Sequence, residues 1–217
     1  SIFPIVFTLD VMFFLETKNK RDCYGCRACE KKCPEHCIKM FYDEEGFSYP
    51  VINESLCKHC GLCKFVCPND NIDLLIKNNK IDKPIGYMAI HKNTYIRFKS
   101  ASGGAFSAIV ERLSKENIIV FGAELDQYFK AIHSYADTIQ GAHKFRKSKY
   151  IQSDIGDSYR QAECFLKKGK NVLFTGTPCQ VAGLKLYLQK EYINLFTADF
   201  VCHGVPSQNV FDLYLLY

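Results

Sequence analysis

The chain has 217 residues, 47% of them apolar, and a formal net charge of +5. That composition suits one large domain or two smaller ones and excludes a disordered chain. The charges are scattered with no run of Lys and Arg, which excludes a nucleic-acid-binding stripe, so no nucleic-acid partner is expected.

The first fifteen residues, Ser1 to Leu15, are apolar, but they lack a basic start and contain Pro4 and Asp10. They are too short and too interrupted to span a membrane, so no transmembrane segment is expected. Met12 opens MFFLETKNKRDCYGC, a plausible native start, and residues 1–11 are expected to be a tag, an unprocessed leader or mistranslated upstream sequence. Residues 1–21 as a whole are assigned to a leader.

The cysteines carry the strongest signal. Nine of the twelve lie between Cys23 and Cys67, in CxxC spacings. Cysteines so close suit metal better than several disulfides, whose geometry is restrictive. With no secretory signal, this usage points to a reducing, cytoplasmic compartment.

Cys23-Tyr-Gly-Cys26-Arg-Ala-Cys29-Glu-Lys-Lys-Cys33-Pro34 recurs 34 residues later as Cys57-Lys-His-Cys60-Gly-Leu-Cys63-Lys-Phe-Val-Cys67-Pro68. The repeat runs on into Ile38-Lys-Met40 and Ile72-Asp-Leu74. Two copies of CxxCxxCxxxCP form the bacterial two-cluster signature, in which the fourth cysteine of each run ligates the other cluster. Cys23, Cys26, Cys29 and Cys67 are therefore expected to hold one [4Fe–4S] cluster, and Cys57, Cys60, Cys63 and Cys33 its partner. Zinc is the alternative, but its sites are usually CxxC pairs separated by a longer gap. Residues 22–76 are thus expected to be an α+β ferredoxin module with two pseudo-symmetric cluster loops. In it Phe41, Phe47 and Tyr49 form a strand or hairpin over the clusters, and Cys37 is a small buried thiol. His36 and His59 read as solvated.

Residues 77–97 read as a connector, and 98–217 as an α/β domain. Ser102 is the expected N-cap of a helix carrying Phe106, Ile109, Val110 and Leu113 on one face. Strands are expected at 118–122, 128–135, 171–175 and 195–201. Helices are expected at 154–168, ending at Gly169, at 178–190, and from Pro206 onward. This order predicts a mainly parallel sheet with βαβ units. The apolar helical pattern still runs at Tyr217, so the domain is expected to continue beyond it. Gly176–Gln180 and Cys202–Ser207 leave the C-terminal ends of neighbouring strands, where open α/β sheets bind ligands. No Rossmann GxGxxG is present, which argues against NAD bound in the usual manner.

The segments SGGAF, SKYIQSDIG, VLFTGTPCQVAGLK and DFVCHGVPS resemble the coenzyme F420 hydrogenase/dehydrogenase beta-subunit family. The resemblance implies an iron–sulfur flavoprotein oxidoreductase that binds FAD. Such a protein passes electrons between clusters and a deazaflavin or another organic carrier. Its partners would be a redox protein or a small redox carrier. With the resemblance, Ser102, Gly103 and Gly104 are expected to contact the cofactor. Lys149, Tyr150, Gln152 and Ser153 are either cofactor contacts or a solvated edge. Gly176, Thr177 and Gln180 are candidates for the flavin edge. Cys179 and Cys202 are pocket thiols or part of a third cluster, and with His203 they are the catalytic candidates. Two rivals remain: a flavin-free electron-transfer subunit that docks a partner oxidoreductase, and an adaptor in which the clusters only staple the fold.

Overall fold

The computed structural model describes residues 14–78, 84–115 and 117–217. The proposed non-native segment 1–11 lies outside these.

The ferredoxin part begins with a short helix, α1 (Phe14–Thr17), and continues through α2 (Ala28–Lys32), a hairpin of β1 (Ile38–Tyr42) and β2 (Ser48–Ile52), α3 (Leu62–Phe65) and α4 (Ile72–Asn78). Strands β1 and β2 are antiparallel, with Met40 opposite Pro50 and Phe41 opposite Tyr49. Residues 14–17, grouped above with the leader, pack into this part. Phe14 and Leu15 are buried beside Cys33 and Cys37, and the Phe14 ring stacks on Tyr49 at 5.5 Å.

The internal repeat holds locally and then ends. Equivalent loop positions, Gly25 with His59 and Arg27 with Gly61, all have left-handed backbone, φ 50 to 74°. Beyond the fourth cysteines the copies part. Residues 38–42 form a strand because 48–52 pair with them, whereas the equivalent stretch from Ile72 is helical. There Leu75 packs against the core of the second domain. The expected pseudo-symmetry is thus limited to the loops.

After α5 (Thr94–Phe98) the second domain runs α6 (Ala105–Ser114), β3 (Ile118–Leu125), β4 (Ala131–Ala136), α7 (Ile139–Ala142), α8 (Ser158–Lys167), β5 (Asn171–Gly176), α9 (Pro178–Leu188), β6 (Leu195–Asp199) and α10 (Gln208–Leu215). Its sheet has the order β4-β3-β5-β6. β3 pairs with β5 and β5 with β6 in parallel, while β4 is antiparallel to β3. The sheet is mixed, because β3 and β4 are joined by a tight turn rather than a crossover.

Alternation along the strands builds two core layers. Ile119, Phe121, Val172 and Phe174 face α8 and α9, and Ile118, Val120 and Leu173 face the side of α6 and α7. Cys26, Ala28 and Val66 of the ferredoxin part join the first layer, so the two parts share one core.

Some boundaries move. The N-cap of α6 is Gly104, not Ser102, at φ +84°. A β-carbon there would lie 2.9 Å from His91 Cβ, so glycine is needed for both conformation and space. Helix α8 starts at Ser158 rather than Asp154, because Asp154 first bridges to Ile132 alongside β4. Helix α10 starts at Gln208, where Ser207 caps the Val210 N–H.

Candidate redox site

Four of the eight repeat cysteines surround a cavity of about 30 Å³. Cys23, Cys26, Cys29 and Cys67 line it, closed by Phe14, Met40 and Pro50. Burial pushes the Cys23 thiol up to about 11, opposed by the Gly25 N–H, with Cys67 adding to the rise. The Cys29 thiol is raised by burial first and then by Cys26, Cys23 and Cys67. Of the other four repeat cysteines, Cys33 is buried, Cys57 and Cys63 are half-buried and Cys60 is exposed. Cys63 is raised by burial first, and Cys60 and Cys33 push the same way. The cavity thus gathers three cysteines of the first repeat with the last of the second, and four thiols around a small void are a donor set that fits an iron–sulfur cube. Cys37 is buried with its sulfur 3.3 Å from that of Cys33.

The first set abuts the α/β domain. Tyr159, wholly buried on α8, donates to the Cys26 carbonyl at 3.1 Å and the Gln180 carbonyl at 3.0 Å. Gln152 Nε2 donates to the Tyr24 carbonyl at 2.8 Å, and Lys32 Nζ to the Tyr187 carbonyl at 2.8 Å. Arg27, left-handed at φ 63°, is paired to both Glu30 and Asp154. Gly183 on α9 admits the close approach, since a β-carbon there would lie 2.8 Å from Tyr159 Oη and 3.4 Å from Cys26 Sγ.

On the opposite side of the α9 N-terminus is a cleft of about 840 Å³. It gathers Ser102, Gly103, Gly104, Lys149, Tyr150, Ser153, Gly176, Thr177, Gln180, Cys202 and His203 from four separate segments. Its volume lies in the range of cofactor pockets. The first turns of α6 and α9 open onto it, and such turns favour anionic groups. Two named residues lie outside the lining. Gln152 serves the junction with Tyr24, and Cys179 turns toward the first sulfur set, 3.9 Å from the Tyr24 carbonyl and 3.1 Å from Thr177 Oγ1.

Inside the cleft the roles differ from those expected. Gln180 is 1% exposed and spends its amide on the protein. Its Oε1 accepts from the Thr177 N–H at 3.1 Å, and its Nε2 donates to Ser153 Oγ at 3.0 Å. The Lys149 ammonium donates to the Lys144, Arg146 and Lys147 carbonyls. Among the lining residues that escaped sequence reasoning are Arg146, whose Nε donates to Ser107 Oγ at 2.9 Å, and His133. The only sequence signal for His133 was its place in an alternating strand, which equally describes a core residue.

His133 Nε2 lies 2.8 Å from the Thr175 carbonyl, so that nitrogen carries the proton, and Nδ1 accepts from Ser153 Oγ at 2.7 Å. Burial pushes its pKa down to about 4. A lowered histidine costs stability as pH falls, because the unfolded chain binds the proton first. Between its unfolded value of 6.5 and pH 4 the loss approaches about 3 kcal/mol, and about 2 kcal/mol of it is gone by pH 5. Urea unfolding of wild type at pH 7 and pH 5 should show this difference, and His133→Gln should remove it. An equal pH dependence in both proteins would refute the assignment.

The fold and the sulfur sets define an iron–sulfur electron-transfer protein. Residues 22–71 match the 4Fe-4S dicluster domain, and residues 169–216 match the C-terminal region of the coenzyme F420 hydrogenase/dehydrogenase beta subunit. These two matches fall on the segments whose motifs suggested that resemblance, the cysteine repeat and the stretch from Gly169 onward. Among curated relatives, a coenzyme F420-dependent sulfite reductase of Methanocaldococcus jannaschii is 28% identical over 167 residues, 75% of this chain and 24% of that protein. The pyruvate synthase subunit PorD of Thermotoga maritima is 36% identical over 56 residues, 26% of this chain and 52% of that protein. The ferredoxin-type protein NapF of Haemophilus influenzae is 33% identical over 49 residues, 23% of this chain and 28% of that protein. The chain thus spans from about a quarter to about half of these relatives' lengths. No helix among the described residues is long and apolar enough to cross a membrane.

Proposed function

We propose that the chain is an iron–sulfur flavoprotein oxidoreductase. In this reading Cys23, Cys26, Cys29 and Cys67 hold one [4Fe–4S] cluster, and Cys33, Cys57, Cys60 and Cys63 hold the other. The cleft takes FAD, which supplies the exchange between single electrons and a hydride for a deazaflavin or another organic carrier. Ser102, Gly103 and Gly104 offer backbone N–H groups and close approach, Gly176 and Thr177 line the strand end beside them, Tyr150 and Ser153 flank them, and Lys149 braces its loop. Gln180 shapes the first turn of α9 from beneath. Cys202 and His203 reach the cleft as groups able to exchange a proton with a carrier, and Cys179 stands between the cleft and the first sulfur set. A redox protein or small redox carrier is the partner, and twelve free cysteines suit a reducing, cytoplasmic compartment.

The observation that carries this reading is the convergence of those segments on one cleft, with α9 between it and the first sulfur set. One observation favours a flavin-free electron-transfer subunit instead: Gln180 and the Lys149 ammonium are already occupied within the protein.

Anaerobically purified protein should contain about eight iron and eight acid-labile sulfide per chain. Two zinc ions with little iron would sink the cluster assignment. For the flavin, Gly104→Val in the natural full-length protein should abolish FAD binding and leave iron at the wild-type level. A full-length wild type that never takes up flavin on anaerobic reconstitution would favour the flavin-free reading.

A further inference from the structure

Three buried side chains that line the cleft, His133, Ser153 and Gln180, are joined by hydrogen bonds whose directions are all fixed. The Thr175 carbonyl can only accept, so His133 Nε2 donates to it and Nδ1 is left an acceptor. The Thr177 N–H can only donate, so Gln180 turns Oε1 toward it. The Ser153 carbonyl, 3.1 Å from the other end of that amide, can only accept, so that end is Nε2. Between the two stands the Ser153 hydroxyl, 3.0 Å from Gln180 Nε2 and 2.7 Å from His133 Nδ1. It must accept from the first and donate to the second. The chain of bonds therefore runs one way, from Thr177 through Gln180, Ser153 and His133 to Thr175.

Both ends of this relay lie where β5 passes into α9, with Gly176 between them. A β-carbon on Gly176 would lie 2.9 Å from Gln180 Oε1 and 3.4 Å from His133 Nε2, so glycine there leaves room for the relay. Its middle belongs to other walls of the cleft. His133 is on β4 with its ring stacked on Phe174 at 5.4 Å, and Ser153 ends the segment that carries Arg146, Lys149 and Tyr150 into the lining. Breaking one link leaves buried donors or acceptors unpaired, which is costly, so the walls hold together as a unit.

We infer that His133, Ser153 and Gln180 are positioning residues that set the spacing between the β5–α9 junction and the segment 146–153, the two walls between which the flavin fits. The inference rests on the reading of the cleft as the FAD site and deepens it, because it assigns these residues to the shape of the site rather than to contact with the ligand. One exchange tests the direction of the relay. In Gln180→Glu an oxygen still accepts from the Thr177 N–H, but a carboxylate cannot donate, so the single Ser153 hydroxyl proton is sought by both the carboxylate and His133 Nδ1. One added proton, on either group, completes the relay again. Charged or titratable neighbours are Asp154, paired with Arg27, Cys179 beside Gln180, and Arg146, Lys147, Lys149 and His203 of the lining. Comparison with wild type at each pH cancels their own titration.

The test uses the natural full-length protein with its clusters and follows the binding of FAD by quenching of its fluorescence. Ser153→Ala should weaken binding about tenfold, with iron content unchanged. Gln180→Glu should show a similar deficit at pH 8 and come within about twofold of wild type at pH 5.5, because burial favours the protonated carboxyl. Leu166→Val, in the buried last turn of α8 and outside the lining, is the stability control and should bind FAD as wild type does. A wild type that takes up no FAD overturns the flavin reading and this inference with it. If wild type binds FAD, the inference alone fails when Ser153→Ala binds equally well, when the Gln180→Glu deficit is the same at both pH values, or when Leu166→Val loses as much.

Discussion

Cys33→Ser should cut the iron content of the anaerobically purified protein by about half, whereas Cys37→Ser should leave it at about eight per chain. The two sulfurs are 3.3 Å apart and both residues are buried, so neither exposure nor distance separates them. What does is the repeat. Cys33 has its counterpart in Cys67, followed like it by proline, while the counterpart of Cys37 is Asn71. Asn71 spends its side chain on the Lys64 and Cys67 carbonyls, a local bracing task that no thiol ligand would share. The iron lost from Cys33→Ser should come from the set containing Cys60 and Cys63, because the fourth cysteine of each run ligates the other cluster. Electron paramagnetic resonance of the reduced variant should then show one cluster where wild type shows two. A Cys37→Ser protein that loses iron while Cys33→Ser keeps it would reverse the assignment.

The second large effect is expected at Gly183. Valine there would drive a side chain into Tyr159 Oη, 2.8 Å from the added β-carbon. Tyr159 has nowhere to go, since its ring is wholly buried between Phe174 and Tyr187 and its hydroxyl spans the Cys26 and Gln180 carbonyls. Overpacking a close-packed site costs about 1–3 kcal/mol, and loss of the Tyr159 bonds leaves two buried carbonyls to find other partners. Gly183→Val should therefore lower the melting temperature and loosen the first sulfur set, which Cys26 anchors. The second set, built around the solvent-facing loop at 57–63, should keep its iron. Tyr159→Phe keeps the volume and removes only the hydroxyl, so it should show a milder form of the same pattern. If Gly183→Val melts like wild type with all its iron, the joint between the two parts is looser than its contacts imply.

How much of this was legible beforehand depends on the range of the interaction. Ligand loops are local: three cysteines three residues apart, with left-handed turns between them, specify a cluster loop within a dozen residues. The strand and helix order of the second domain was also readable, because periods of two and of about 3.6 are written into adjacent side chains. The strand ends that would bear a ligand site followed from that order, and the loops at 176–180 and 202–207 do line one cleft.

What the sequence alone could not say is which way a side chain turns once its loop is placed. Gln180 and Lys149 looked like hands held out to a ligand, yet buried donors and acceptors must be satisfied, and the nearest partners were protein atoms. Gln152 and Cys179 lie in motifs that read as cofactor segments, but the tertiary packing sets them against Tyr24 of the ferredoxin part. The repeat gave no reason for its two sulfur sets to differ. Only the docking of one of them against α8 and α9, through a glycine small enough to let Cys26 approach, made one set internal and left the other facing solvent.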